Sequence, residues 1–584
     1  MQFNIQCLPG YKKAKSHIKM MTKEKIIIYQ VFTRLFGANN THCVINGDKH
    51  QNGCGRMSDF TFNALKNIKE LGATHIWYTG IIEHATQTDY SSYGIAKDHP
   101  SIVKGKAGSP YAIKDYYDID PDLSNQVDER MNEFHNLINR THRSGLKLII
   151  DFVPNHVARQ YHSDAKPEGV IDLGENDNSS YAFSPNNNFY YIPKTRFTPT
   201  FSIKDSENIE YLETPAKATG NDCFSQWPNK NDWYETVKLN YGVDYMGGKT
   251  NHFYPIPDTW NKMLDILLFW AEKGIDGFRC DMAEMVPCEF WGWAIPQVKE
   301  KFNKIIFIAE VYNPKEYRNY IYNGKFDYLY DKVGLYDTLR SVINGNSATC
   351  ITGCWQSVDD INTHMLNFLE NHDEQRIASR FFAGSAERSK PALVVSALMR
   401  TNPMMIYFGQ ELGEQGMYTE GFSGEDGRTT IFDYWTIDTI RRWRNNGKFD
   451  GKLLSTEEKE LQAYYKNILN LCNKEKAIRE GDFFDIMYAN YNNNMMNEHR
   501  QYAFLRKSGH DLILIVANFE DKPAHSWIKI PSHAFDCLDI SKEEKTYIAK
   551  DLLTGKKVEK MLIPDGTVYI EIPANDAKIL KFKI

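Results

Sequence analysis

Short apolar runs alternate with helix-length amphipathic stretches over most of this chain. Residues 25–31, 74–78, 146–153, 278–281, 305–309, 326–330, 366–369 and 404–408 are the runs, and each is mostly apolar. Between them the period changes from strand-like to helical. Phe62, Leu65 and Ile68 share one helical face, with Ser58 as the candidate N-cap and Gly72 as the stop. Val127, Met131, Phe134, Leu137 and Ile138 mark a second helix ending near Gly145. Trp260, Met263, Leu264, Leu267 and Leu268 mark a third, with Asp258 near its start and Gly274 past its end. Strands that are apolar on both faces and joined by helical crossovers predict a parallel sheet. Eight such units predict an α/β fold closed as a (β/α)8 TIM barrel with its active site at the C-terminal strand ends. A doubly wound open sheet is the alternative.

Two regions break the rhythm. Residues 157–245 are rich in Asn, Tyr, Phe and Pro and carry no helical period. A structureless loop of that length is improbable in a compact domain, so an inserted subdomain after strand three is predicted. Past residue 474 the pattern turns to short strands, as at 501–506, 512–518 and 567–572. That predicts a C-terminal all-β sandwich. The expected organisation is an N-terminal extension (1–22), a first barrel part (23–156), the insert (157–245), a second barrel part (246–474) and the β-domain (475–584).

Composition narrows the partners. A net charge of −6 argues against nucleic acid and fits a neutral substrate. Thirty-four tyrosines and 11 tryptophans could serve as platforms for sugar C–H faces, although they also fill cores. The ten cysteines follow no disulfide or zinc spacing. No stretch is long and apolar enough for a membrane span. The first twenty residues carry lysines and no apolar signal-peptide region, which gives a cytoplasmic expectation. Oligomeric state is left open.

The chemistry collects at four strand ends. Gly277-Phe278-Arg279-Cys280-Asp281 closes the fourth strand. In a strand, positions i and i+2 share a face, so Arg279 and Asp281 point together. A neighbouring cation favours the ionised carboxylate, which a nucleophile needs. Asp151 to His156 close the third strand, Glu310 the fifth, and Glu370-Asn371-His372-Asp373 the seventh. A barrel brings these to one mouth. Several acids with two histidines there suit glycoside hydrolysis, in which one carboxylate attacks the anomeric carbon and another acid protonates the leaving oxygen. Glu310, behind the apolar run 305–309, suits the acid. Each residue alone also has a structural reading: Asp281 with Arg279 could be an ion pair, the histidines could be satisfied core groups, and Glu310 could end a strand in water.

Taken together, the segments resemble the signature regions of the α-amylase superfamily of glycoside hydrolases and transglycosylases. Their order, spacing and the insert after strand three all agree. The resemblance implies a retaining enzyme acting on α-glucans, with Asp281 as nucleophile, Glu310 as general acid/base and Asp373 as the third carboxylate. It further implies that Arg279 orients the nucleophile, that His156 and His372 bind at the bond-breaking subsite, and that Asp151 supports the mouth. Tyr111 resembles the tyrosine stacked under the reacting sugar. A transglycosylase, an exo-acting α-glucosidase and a non-catalytic carbohydrate-binding relative are the alternatives.

The chain departs from many relatives in three places. Asn155 matches one ligand of a calcium site, but Lys238 stands at the acidic position. The loop after strand one keeps Asp48 and Asn52, but Arg56 stands where an acid is expected. Cations at both places predict no bound metal and no cofactor. Glu284 and Met285 replace the Lys-His pair that follows the nucleophile in many α-1,4-acting members, which leaves the leaving-group side undetermined.

Overall fold

The computed structural model describes residues 24–492 and 494–584. The N-terminal extension 1–22, and with it the leader expectation, lies outside the described residues.

Eight parallel strands close a barrel in the order β1-β8-β7-β6-β5-β4-β3-β2. They are β1 (Ile27–Phe32), β2 (His75–Thr79), β3 (Lys147–Phe152), β4 (Gly277–Cys280), β5 (Ile306–Ala309), β6 (Tyr328–Tyr330), β7 (Met365–Phe368) and β8 (Met404–Tyr407). Closure lies at β1, which pairs with β2 (Ile28 opposite His75) and with β8 (Ile28 opposite Met405). An open doubly wound sheet is thereby excluded.

Strand parity explains the site. Ile28, Trp77, Ile149, Ile308, Leu366 and Met405 belong to one apolar cluster, separate from the main core. Two residues on, the same face carries Gln30, Thr79, Asp151 and Glu310 at the C-terminal mouth. In β4, Arg279 and then Asp281 occupy that face. The barrel is thus filled by apolar side chains below and presents polar ones above.

Helices cover the outside. α1 (Phe62–Leu71) buries Leu65, Ile68 and Leu71. Its N-cap is Thr61, whose hydroxyl accepts from Ala64 N at 3.2 Å, while the expected cap Ser58 lies in the preceding turn Met57–Asp59. Both residues are good caps by type, and Thr61 directly precedes the first helical residue. Gly72 ends α1 with φ +119°, and a Cβ there would lie 2.8 Å from Leu469 Cβ. Glycine is therefore required by backbone angle and by the approach of the helix Thr456–Lys474. α2 (Arg130–Arg143) buries Phe134, Leu137 and Ile138, and α3 (Asp258–Glu272) buries Trp260, Met263, Leu264 and Leu267.

The segment after β3 holds short antiparallel pairs, including His156–Ala158 with Thr236–Lys238 and Tyr191–Ile192 with Ala216–Lys217. It has its own small core of Phe197, Ile203, Tyr211 and Ala216 with Ile102. Strands of two or three residues leave no readable period, which is why the sequence shows composition there and no pattern. Among the described residues the C-terminal region is all-β apart from the short helices Lys476–Arg479 and Ser532–Cys537 and the single turn Met487–Asn490, with a six-stranded sheet and a two-stranded sheet pairing Ala524–Lys529 with Thr567–Ile572. It is joined to the barrel by Arg506. This fully buried guanidinium donates to the carbonyls of Ala477, Ile478 and Gly481, and to that of Met399 just past the helix Lys390–Leu398. Among the described residues no helix is long and apolar enough to cross a membrane.

Candidate active site

The strand-end residues converge on Arg279. Its Nη1 donates to Asp281 Oδ1 at 2.7 Å and its Nη2 to Glu310 Oε2 at 2.7 Å. Nη1 also lies 3.5 Å from Asp151 Oδ1, and Nε donates to the Tyr330 hydroxyl at 3.1 Å. One planar guanidinium therefore holds the ends of β3, β4 and β5 together. Backbone ladders fix the same register, since Asp281 N donates to Phe152 O and Glu310 N to Cys280 O.

Asp281 is 6% exposed and Glu310 3%, so both carboxyls are nearly dry. Burial pushes the Asp281 carboxyl well above the usual aspartate range. Arg279 opposes this, while Glu310, Asp373 and Asp151 add to it. This corrects the expectation that Arg279 decides the ionisation of Asp281: burial outranks it, and one cation is shared by three carboxylates.

Asp373 is more open, with its side chain 39% exposed. Burial pushes its carboxyl up, but His372 and then Arg279 and Arg428 outweigh that, and the net displacement is downward. The His372 ring is fixed on all sides. Gln30 Nε2 contacts its Nδ1 at 2.8 Å, and its Nε2 faces Asp373 Oδ2 at 2.9 Å and the Tyr111 hydroxyl at 2.6 Å. With Nδ1 accepting from Gln30, Nε2 carries the hydrogen that faces Asp373. Tyr111 stacks on His372 with centroids 5.1 Å apart. His156 is buried, and burial, with Lys238 and Lys104, lowers its imidazole to about 3. It is a neutral group near neutral pH. Asp151 accepts from Trp77 Nε1 at 3.0 Å, which fixes it beneath the mouth.

A cleft of about 370 Å³ opens over these groups. Tyr111, His156, Asp281, Glu310 and Asp373 line it, while Arg279 and Asp151 lie beneath. Sequence reasoning did not find Lys104, Glu235, Met282, Tyr312 or Phe432 on its walls. Only Met282 and Tyr312 carried a signal, Met282 by following Asp281 directly and Tyr312 by standing two residues past Glu310. Of the insert's tryptophans, Trp233 is a wall residue with its ring 5.2 Å from that of His156, whereas Trp227 is 62% exposed. Trp291 is core, and Glu370 is structural, accepting from Arg376 and Ile377 N.

The two metal positions are filled by other interactions. Lys238 Nζ donates to Asn155 Oδ1 at 2.8 Å and pairs with Asp222 Oδ1 at 2.6 Å. A buried ammonium thus occupies the polar space beside Asn155, and this donor set does not fit a calcium ion. In the first loop, Asp48 caps the turn Lys49–Asn52, Asn52 binds the backbone of Val44 and Tyr434, and Arg56 reaches Asn125. Among the described residues no group of three or more His, Cys, Asp or Glu side chains is arranged to hold a metal.

Comparison with known proteins gives a consistent picture. The family described as "Alpha amylase, catalytic domain" matches residues 30–446. Alpha-amylase 3 of Dictyoglomus thermophilum is 25% identical over 483 residues, covering 78% of each chain. The alpha-glucosidase of Apis mellifera is 23% identical, covering 83% of each. The crystal structure of an alpha-amylase from Geobacillus thermoleovorans complexed with acarbose superposes with a TM-score of 0.61 at 18% identity, over 97% of this chain and 100% of that one.

Proposed function

Because the chain belongs to the α-amylase catalytic-domain family of glycosidases, we propose that it is a retaining hydrolase of α-1,4-linked glucans, with Asp281 as nucleophile and Glu310 as general acid/base. The observation that carries this reading is the bridging of Asp281 and Glu310 by one buried guanidinium at the floor of a cleft that also exposes Asp373.

In the first step a carboxylate oxygen of Asp281 attacks the anomeric carbon. The glycosidic C–O bond breaks and Glu310 gives its proton to the departing oxygen. In the second step water attacks the glycosyl ester, Glu310 takes the water's proton, and Asp281 leaves as carboxylate with the configuration retained. Arg279 spreads its charge over both carboxylates, so negative charge can pass between them without either losing its partner. Asp373, held by His372, accepts from sugar hydroxyls, and Tyr111 stacks beneath the ring. His156, neutral, donates to a hydroxyl at the same subsite. Asp151 keeps Arg279 in place.

We also propose that the Lys238 ammonium supplies the positive charge that calcium supplies in relatives. Cytoplasmic location stays a proposal of the sequence alone. Incubation with maltoheptaose, pullulan and sucrose, with products resolved over time, tests the reading. Shorter malto-oligosaccharides of retained configuration from maltoheptaose are the expected result. Longer sugars appearing early would mean transglycosylation, glucose alone would mean exo-cleavage, and no turnover would reject the hydrolase.

A further inference from the structure

The acid/base carboxylate has an arrangement of partners that the two steps above do not use. Glu310 Oε2 accepts from Arg279 Nη2 at 2.7 Å and from Met282 N at 2.8 Å. Both are donors under all conditions, and both are fixed, one by its ion pairs and one by the backbone. Met282 holds a left-handed conformation, φ +43°, directly after the nucleophile, and its amide points at Glu310 in that conformation. Oε2 is therefore committed as an acceptor. Only Oε1 remains for proton exchange, and its partner is the Tyr312 hydroxyl at 2.5 Å. A hydroxyl can donate to a carboxylate and can also accept from a carboxylic acid. Among the described residues that bond to Glu310, Tyr312 is thus the one that can reverse its role when the proton arrives or leaves.

Tyr312 is itself held in place. The Glu284 carboxylate accepts from Tyr312 N at 2.7 Å and from Asn313 N at 3.1 Å. Glu284 stands in the turn Ala283–Met285 that follows the nucleophile. It is one of the two residues that replace the Lys-His pair of many relatives, so the unexplained departure in the sequence coincides with this contact. The turn after β4 is tied by it to the segment after β5, and the hydroxyl is set on Glu310.

We propose that Tyr312 is a positioning residue for the acid/base Glu310, donating to Oε1 as the carboxylate forms, and that Glu284 holds Tyr312 in that position. The inference rests on the assignment of Glu310 above. When Glu310 Oε1 gives its proton to the leaving oxygen, the Tyr312 hydroxyl turns to donate to the oxygen on which the negative charge appears. When water is deprotonated in the second step, the same hydroxyl turns to accept. Tyr312 loses no proton overall, and the balance of the reaction is unchanged.

The test is kcat/KM on aryl maltosides of graded leaving-group acidity and on maltoheptaose, for wild type, Y312F, E284A and E310Q. This constant reports the glycosylation step alone. For Y312F the expected loss is near zero with 2,4-dinitrophenol, which departs without a proton. It should grow to roughly ten- to a hundredfold on maltoheptaose, the scale of one hydrogen bond to a charged group. E284A should follow the same trend more weakly, and circular dichroism should show both variants folded. An equal loss of Y312F on every substrate would make Tyr312 a sugar platform or packing residue and overturn the proposal. No loss on maltoheptaose would also overturn it. E310Q separates the two layers: if it fails to show the leaving-group trend, the acid/base assignment itself is wrong. If E310Q shows the trend and Y312F does not, only the role of Tyr312 falls.

Discussion

Arg279 donates to Glu310 through Nη2 at the same 2.7 Å that separates its Nη1 from Asp281. The arginine that reads in the sequence as the partner of one carboxylate is a bridge between two. Removing it would leave three buried carboxylates facing one another, which is far costlier than losing a surface pair. Arg279→Ala should therefore lower stability by about 3–5 kcal/mol as well as abolish turnover. Arg279→Lys should keep part of the stability but lose the fork that serves both acids. Denaturant melts beside initial rates on maltoheptaose check this; an Arg279→Lys enzyme of normal rate would show that the bridge is dispensable.

Asp281→Ala and Glu310→Gln should each reduce turnover by several orders of magnitude while melting close to wild type, because the lost groups stand in the reacting arrangement and both substitutions remove a buried charge. A trapped glycosyl ester, seen by mass spectrometry with a slow fluoride substrate, should map to Asp281. Near-normal rates for either variant on natural substrate would refute the role assignment.

A pH-dependent term in stability lies below the site. Glu411 is fully buried, accepts from the Tyr29 hydroxyl at 2.9 Å, and is pushed up to about 7 by burial. Its folded value lies above the unfolded one of 4.5. The contribution is fully present below pH 4.5 and is lost as pH rises towards 7, because only the unfolded chain ionises in that window. Glu411→Gln removes the titration. Relative to wild type, the variant should gain about 3 kcal/mol between pH 4.5 and 8. Thermal melts of both proteins at several pH values check this; parallel curves would mean that Glu411 does not titrate in the window.

Lys238 gives a prediction on metal. Its ammonium is buried, while Asp222 is 38% exposed, so the pair is only partly screened. Lys238→Met should cost about 2–3 kcal/mol, less than a wholly buried pair because of that exposure. Chelation should leave both the melting temperature and the rate of the wild-type enzyme unchanged. Stoichiometric calcium by elemental analysis, lost together with activity on chelation, would overturn the proposed replacement.

The barrel was legible because two-sided burial makes each strand an apolar run and each crossover a 3.6-residue period. The three acids, Arg279 and the histidines were legible because they stand at fixed offsets from those runs. Gln30, Trp77 and Tyr330 were not, because each sits inside a run that reads as core and only closure of the barrel turns it towards the mouth. Glu235 and Lys104 lie in regions without period, so nothing local places them at the cleft. The weight of burial on Asp281 was also hidden. The offset of Arg279 shows that a cation is near, but not that two other acids share it.

Arg506 draws the barrel and the C-terminal sheet into one unit. A guanidinium sealed from water survives as a cation only while its carbonyl acceptors stay in place, and burial, with Arg400 nearby, already lowers it to about 9. One of those acceptors, Met399 O, belongs to the other half of the molecule. Separating the halves would strand a charge in an apolar seam, so a cut made at the domain boundary would yield two sticky fragments in place of a smaller working enzyme.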